Sequence, residues 1–242
     1  MCTTGYGVCT TAVVAVLVRH SWSSTPCALL TLRPQASATT YSERVASDSV
    51  RDAYADRAAE YIVVLGSIED AAQADRDYLL SWARTVDGPV LDVGCGPGQW
   101  TNYLHEAGIV VEGVDPVESF IQDAGKRYPL ARYRMGYANN LGVASGSLGG
   151  VLAWFSLIHI DPADIDESLH EFARCIRPGG SVAVGFFDGP SGQSFDHAVA
   201  TAFYWSVEAL TERLQSAGFT VIDAQTRKDP GVRRQGVIVA RR

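Results

Sequence analysis

The sequence predicts an α/β protein built on a mostly parallel sheet covered by helices on both faces. Three observations carry that expectation. Short strand-like apolar runs alternate with helical segments from residue 89 onward, a glycine-rich loop directly follows the first run, and isolated glycines stand where helices should stop. Alternation of this kind is the pattern of parallel strands, whose crossovers need a helix. At 242 residues and 47% hydrophobic content the chain can bury one sizeable core.

The elements follow in order. Residues 1–40 contain no Asp or Glu and only Arg19 and Arg33, so the remainder holds 18 basic against 27 acidic side chains, a net of −9. The run "TAVVAVLVRH" is too short to span a bilayer, and no Lys or Arg precedes it as in a secretory signal. The segment reads as a poorly ordered or non-native extension, with a transit peptide as the alternative. The folded unit is expected over 41–242, divided into a helical part, 41–86, and a core, 87–242.

In "SDSVRDAYADRAAEYIVVLG", Val50, Tyr54, Ala58, Tyr61 and Ile62 share one helical face and Gly66 is a stop. A second helix is expected in "SIEDAAQADRDYLLSWART", with Ser67 as N-cap and Leu79, Leu80 and Trp82 facing inward. Strands are expected at Pro89–Val93, Val110–Val114, Tyr133–Met135, Gly150–Phe155, Ser181–Phe187, Thr220–Ala224 and Gly236–Ala240. Helices are expected near Trp100–Glu106, Val117–Arg127, Pro162–Ile176 and Ser206–Ala217, with Gly108, Gly179, Gly180 and Gly218 ending helices or turns.

The first strand runs into "VLDVGCGPGQW", an acid followed by glycines at 94, 96 and 98. A pyrophosphate site wants G-x-G-x-x-G, and Asp92 would repel it; beside an amino group and a sulfonium the same carboxylate is well placed. A nicotinamide dehydrogenase is thereby disfavoured. Asp115 closes the next strand 21 residues after Gly94, near the ~20-residue offset of a carboxylate that accepts from a ribose diol. In "YRMGYANNL", Met135, Gly136, Tyr137 and Ala138 form an apolar lip on which an adenine can lie.

With "VLDVGCGPG", "GVDP", "GVLAWFSLIHI", "RPGG" and "AGF" in this order, the chain resembles the class I S-adenosylmethionine-dependent methyltransferases over essentially all of 41–242. More narrowly it resembles the small bacterial type 11 group of ubiquinone/menaquinone-type enzymes. The resemblance implies a doubly wound, Rossmann-like seven-stranded sheet with the last strand antiparallel, an N-terminal helical lid, and S-adenosyl-L-methionine as cofactor. It implies that Asp92, Gly94, Cys95, Gly96 and Gly98 hold the methionine part and that Asp115 and Pro116 hold the ribose. Gly136, Tyr137, Ala138 and Phe155 would then border the rest of the cofactor.

Methyl transfer from a sulfonium is an in-line displacement, so positioning and exclusion of water matter most, and no metal is required. A base is needed only where the acceptor must lose a proton first. His159, just past the fourth strand, is the candidate base; the alternative is a helix-start histidine bonded to backbone. Ser156 is expected to shape the acceptor pocket, with Tyr54, Arg57, Tyr61, His197, Tyr204 and Trp205 lining it. Nothing matches the N/D-P-P-Y/F signature of enzymes acting on exocyclic amines of DNA bases.

The acidic balance disfavours nucleic acid and anionic membranes as partners. Cys2, Cys9, Cys27, Cys95 and Cys175 show neither metal-ligand nor disulfide spacing. The expectation is a cytoplasmic methyltransferase, monomer or homodimer, acting on a small-molecule acceptor. The alternative is a cofactor-binding protein of the same fold without transferase activity.

Overall fold

The computed structural model describes residues 48–242; the expectations for residues 1–40 and for Cys2, Cys9 and Cys27 lie outside them. Helices α1 (48–56), α2 (Ala58–Leu65) and α3 (Gln73–Thr85) lead into β1 (Val90–Val93), α4 (Gln99–Glu106), β2 (Val111–Asp115), α5 (Glu118–Arg127) and β3 (Arg132–Met135). Then come β4 (Leu148–Trp154), α6 (Ile165–Cys175), β5 (Ile176–Phe187), β6 (Ser194–Asp196), β7 (Thr201–Phe203), α7 (Val207–Ser216), β8 (Thr220–Arg227) and β9 (Gln235–Arg241).

Seven strands form one sheet in the order β3-β2-β1-β4-β5-β9-β8, and β9 runs antiparallel between β5 and β8. The expected seven-stranded, mostly parallel sheet with an antiparallel last strand is therefore present. Strand periodicity sorts its side chains into two layers. Leu91, Val93, Val151, Ala153, Val182, Val184, Ile238 and Ala240 pack beneath α6 and α7, meeting Leu169, Phe172, Leu210 and Leu214. Val90, Leu152, Ala183 and Val239 point the other way, against Leu79 and Trp82 of α3 and Leu104 of α4. Full burial of a side chain such as Phe172 contributes about 1.5–3 kcal/mol.

Several local expectations are corrected. The first predicted helix breaks at Arg57 (φ −110°, ψ 11°), which separates α1 from α2. Ser67 starts only a single 3₁₀ turn, Ile68–Asp70; α3 begins six residues later after Ala72, without a side-chain cap. Trp82 of α3 donates to Ser181 Oγ at 2.9 Å in the core, so α3 belongs to the layer covering the sheet. The β6–β7 hairpin is an element that periodicity did not reveal, because its strands are three residues each.

The chain reverses its winding at β1, which pairs with β2 on one side and β4 on the other. The loops leaving β1 and β4 diverge there and open a crevice at the carboxyl edge of the sheet, the usual ligand position in open α/β sheets.

Gly98 caps α4 at φ +83°, where an added Cβ would stand 2.6 Å from the Tyr133 ring and 2.8 Å from Ala124 Cβ. Gly108, at φ +84°, has open space around it. Gly108→Ala should cost only the left-handed backbone strain, about 1–2 kcal/mol. Gly98→Ala should cost distinctly more, because strand and helix must also separate; denaturant titration of both variants checks the difference.

Candidate functional site

Two carboxyl groups sit at the strand ends that frame the crevice. Asp92 of β1 is 2% exposed and Asp115, the last residue of β2, is 6% exposed. Asp92 accepts a hydrogen bond from Thr101 Oγ1 at 2.6 Å, while Asp115 accepts from the backbone N–H of Gly96 at 2.9 Å and of Val117 at 2.8 Å. The glycine loop is thus held from Asp115 and not from Asp92, and Asp115 also steadies the start of α5.

Neither carboxyl has an ion-pair partner among the described residues. Burial pushes Asp92 up to about 7, opposed by the Thr101 hydrogen bond and reinforced by the charge of Asp115. Burial likewise lifts Asp115 to about 6 against the pull of its two backbone donors.

Two cavities open on either side of the loop. One, of about 230 Å³, is lined by Asp115, Pro116, Gly136, Tyr137, Ala138, Ser156 and His159. The other, of about 300 Å³, is lined by Asp92, Cys95, Arg57, Gln99, Phe187 and His197. Tyr54, Tyr61, Gly94, Gly96, Trp154 and Phe155 border both. At Gly94 (φ +70°) a Cβ would come within 2.3 Å of Ser156 Cβ, whereas at Gly96 (φ +53°) it would meet only the Tyr61 ring at 3.9 Å. The first glycine lets two loops touch; the second keeps a path clear. Phe155 holds φ +54° just past β4, a conformation that side chains other than glycine rarely adopt and that clusters at functional sites.

The N-terminal helices roof this junction. Arg51 donates to Tyr137 Oη at 3.2 Å, Tyr54 pairs with His159 Nε2 at 2.8 Å, and Arg57 donates to the Ala198 carbonyl. His159 Nδ1 lies 2.7 Å from the Thr201 carbonyl, which only accepts. The hydrogen therefore resides on Nδ1, and Nε2 accepts from the Tyr54 hydroxyl. Burial lowers the readiness of His159 to take a proton and raises Tyr54 well above the usual phenol value.

Most expected site residues are brought together, and three are not. Gly98 fills a packing role beneath Tyr133. Tyr204 stacks on Phe195 at 4.3 Å and accepts from Arg233. Trp205 is 3% exposed in the core beneath α7. Neither aromatic lines either cavity. Sequence reasoning missed Trp154, Phe187, Gln99 and Arg51. The first two end β4 and β5, so their place at the sheet's carboxyl edge was a usable signal; the last two depend on tertiary placement.

The donor set favours a ligand with positive groups. Among the described residues the two buried carboxyls lack a cation, and the buried oxygens Gln99 Oε1 and Ser156 Oγ have no hydrogen-bond partner. Such groups are costly unless a ligand satisfies them.

Residues 90–180 match a family model described as a methyltransferase domain. An uncharacterized methyltransferase of Synechocystis sp. is 31% identical over 142 residues, spanning 55% of this chain and 67% of that protein. The malonyl-[acyl-carrier protein] O-methyltransferase of Salmonella typhimurium is 34% identical over 94 residues, covering 39% of this chain and 37% of that one. Among solved structures, the 1,6-didemethyltoxoflavin-N1-methyltransferase of Burkholderia thailandensis shares the fold with a TM-score of 0.69, at 24% identity, over 87% of this chain and 92% of that chain. The chain belongs to the S-adenosylmethionine-dependent methyltransferases of class I, and its activity is methyl transfer.

The residues present fit that cofactor, whose ammonium and sulfonium supply the missing cations and donors. With the folded-state value of Asp92 raised, the folded protein holds a proton that the unfolded chain has lost between about pH 4 and 7, so this group subtracts stability as pH rises through that window. Asp92→Asn should therefore raise the melting temperature of the ligand-free protein at pH 8, with little gain at pH 4, while weakening S-adenosylmethionine binding. Melting curves at both pH values and calorimetric titration check the pair of effects.

Proposed function

We propose that this enzyme transfers the methyl group of S-adenosylmethionine to a small-molecule acceptor held in the second cavity. The observation that carries the reading is the pair of cavities meeting at Gly94 and Gly96 beneath a roof fastened on both sides. This cavity, about 300 Å³ including the part that Asp92 and Gln99 give to the methionine end, has the size of a small-molecule site. The solved relative from Burkholderia thailandensis contains 1,6-didemethyltoxoflavin and S-adenosylhomocysteine, a small acceptor beside the demethylated cofactor. Incubation with S-adenosylmethionine and a panel of small acceptors, followed by S-adenosylhomocysteine release, tests the reading; binding without turnover of any acceptor favours the non-catalytic alternative.

When bound, the cofactor supplies an electrophilic methyl group on a sulfonium. In this assignment the first cavity takes the adenosine, with Asp115 accepting from the ribose hydroxyls and Tyr137 and Ala138 flanking the base. Asp92, Gln99 Oε1 and Ser156 Oγ receive the cationic methionine end. Trp154 and Phe155 wall the junction and exclude water, which strengthens the charge interactions within it. Tyr54 and His159 act as a latch: both are held uncharged near neutral pH, and their hydrogen bond joins α1 to the segment after β4. His159 is thus a positioning residue and not the base.

We further place the folded unit within 41–242, with the lid before α3, and expect a cytoplasmic monomer or homodimer that takes no nucleic acid or membrane partner. The net charge of −7 opposes a phosphate backbone, and Cys95 and Cys175 are free and buried. No helix among the described residues is long and apolar enough to cross a membrane.

Asp115→Ala should weaken S-adenosylmethionine binding by roughly 1.5–3 kcal/mol, the scale of hydrogen bonds to a charged group, measured by calorimetry. His159→Ala should raise the acceptor KM and lower the melting temperature while kcat keeps a flat profile between about pH 6.5 and 8.5. A kcat loss of about 10²-fold in a folded variant, together with disappearance of an acid limb, would identify His159 as the base instead.

A further inference from the structure

The acceptor side of the second cavity has a composition that the cofactor does not explain. Its walls are rings: Phe155 and Phe187 stand 5.0 Å apart at 52°, Trp154 meets Phe155 at 5.0 Å and 84°, and His197 lies 6.1 Å from Phe187. Ile158 and Val199 fill between them. Offset and edge-on ring arrangements of this kind leave flat apolar faces that hold another flat ring.

Cations also line the cavity, yet both are engaged. Arg57 pairs with Glu60 at 2.9 Å and donates to the Ala198 carbonyl. Arg227 pairs with Asp75 through contacts of 2.5 and 2.9 Å and with Asp229 at 2.7 Å. An anionic acceptor would have to compete for one of these sets, and Glu60, Asp70, Asp75 and Asp229 on the same lining would repel it. Besides Gln99 Oε1, given above to the cofactor, one buried polar atom of this lining, His197 Nδ1, has no hydrogen-bond partner among the described residues.

Resting on the methyltransferase reading above, we infer that the acceptor is an uncharged, planar heteroaromatic compound, its ring against Phe155 and Phe187 and a polar ring-edge group bonded to His197 Nδ1. His197 is then an acceptor-binding residue. Burial, followed by the charges of His159, Arg233 and Arg57, brings it down to about 4, so the imidazole is neutral at working pH and meets a neutral partner. A ring nitrogen with an in-plane lone pair at the edge of such a compound is a competent neutral nucleophile toward a sulfonium methyl. Its lone pair forms the N–C bond as the C–S bond breaks, the C–S electron pair returns to sulfur to give neutral S-adenosylhomocysteine, and the positive charge passes to the ring.

The test loads the protein with S-adenosylhomocysteine and titrates four probes by calorimetry: lumazine, 4-hydroxyquinoline, quinoline-4-carboxylate and 3-aminopropanol. At least one of the two neutral heteroaromatics should bind tenfold or more tightly than both the carboxylate and the aliphatic amine. His197→Phe should weaken that binding at least tenfold with S-adenosylhomocysteine affinity unchanged, and His197→Asn, whose amide reaches the Nδ1 position, should recover most of it. Binding of the carboxylate or the aliphatic probe as tight as the heteroaromatics, no heteroaromatic binding to the loaded protein, or an unaffected His197→Phe variant would overturn the acceptor class. Failure to bind S-adenosylhomocysteine at all would count against the methyltransferase reading instead.

Discussion

The site is organised around two buried carboxyl groups that have no cationic partner among the described residues. Asp92, next to last in β1, and Asp115, last in the neighbouring parallel strand β2, are 2% and 6% exposed. Burying even one unpaired carboxylate is costly, and two that repel each other cost more. The protein reduces the cost by letting both take protons more readily, and by giving Asp115 two backbone donors and Asp92 one hydroxyl. What remains uncompensated is an electrostatic demand for positive charge at the carboxyl edge of the sheet. A sulfonium cofactor with an ammonium group meets it; a dinucleotide pyrophosphate would aggravate it.

The same Asp115 couples charge to shape. Its side chain fixes Gly96 of the loop after β1 and Val117 at the head of α5 together, so the acid that faces the crevice also sets the crevice's floor. From that floor the loop keeps Gly94 in contact with Ser156 and leaves Gly96 open to both cavities. The lid then reaches each side separately: Arg51 goes to Tyr137 beside the first cavity, Arg57 to Ala198 beside the second, and Tyr54 to His159 between them. Two of these contacts come from α1 and the third from Arg57, the residue at which the helix breaks.

Much of the fold was legible because strand and helix periods differ and the sheet is buried on both faces. Leu91, Val151 and Val182 face one layer while Val90, Leu152 and Ala183 face the other, and the apolar runs that encode this are continuous. The loop from Asp92 to Gly98 and the acid at Asp115 were readable for a similar reason: backbone geometry and charge at a strand end leave few alternative residues. The division of labour within that loop was not readable, since Gly96 and Gly98 look alike until Tyr133 is seen filling the space beside one of them. Trp205 and Tyr204 misled because an aromatic carries no mark of which face it takes. His159 is open to two readings in the sequence, a base or a histidine bonded to backbone, because the partners of both its ring nitrogens come from residues 105 and 42 positions away.

The central claim is that the unpaired carboxyls select the cofactor by charge, and proton release on binding tests it most directly. A cation placed against Asp92 and Asp115 favours their ionised forms, so binding near pH 6.5 must expel protons that the free site holds. Calorimetry of S-adenosylmethionine binding in two buffers of different ionisation enthalpy counts those protons. The account predicts net release of a substantial fraction of a proton per molecule bound at pH 6.5, fading by pH 9, and a smaller release for S-adenosylhomocysteine, which lacks the sulfonium charge. Binding of both ligands with no proton exchange at any of these pH values would contradict it.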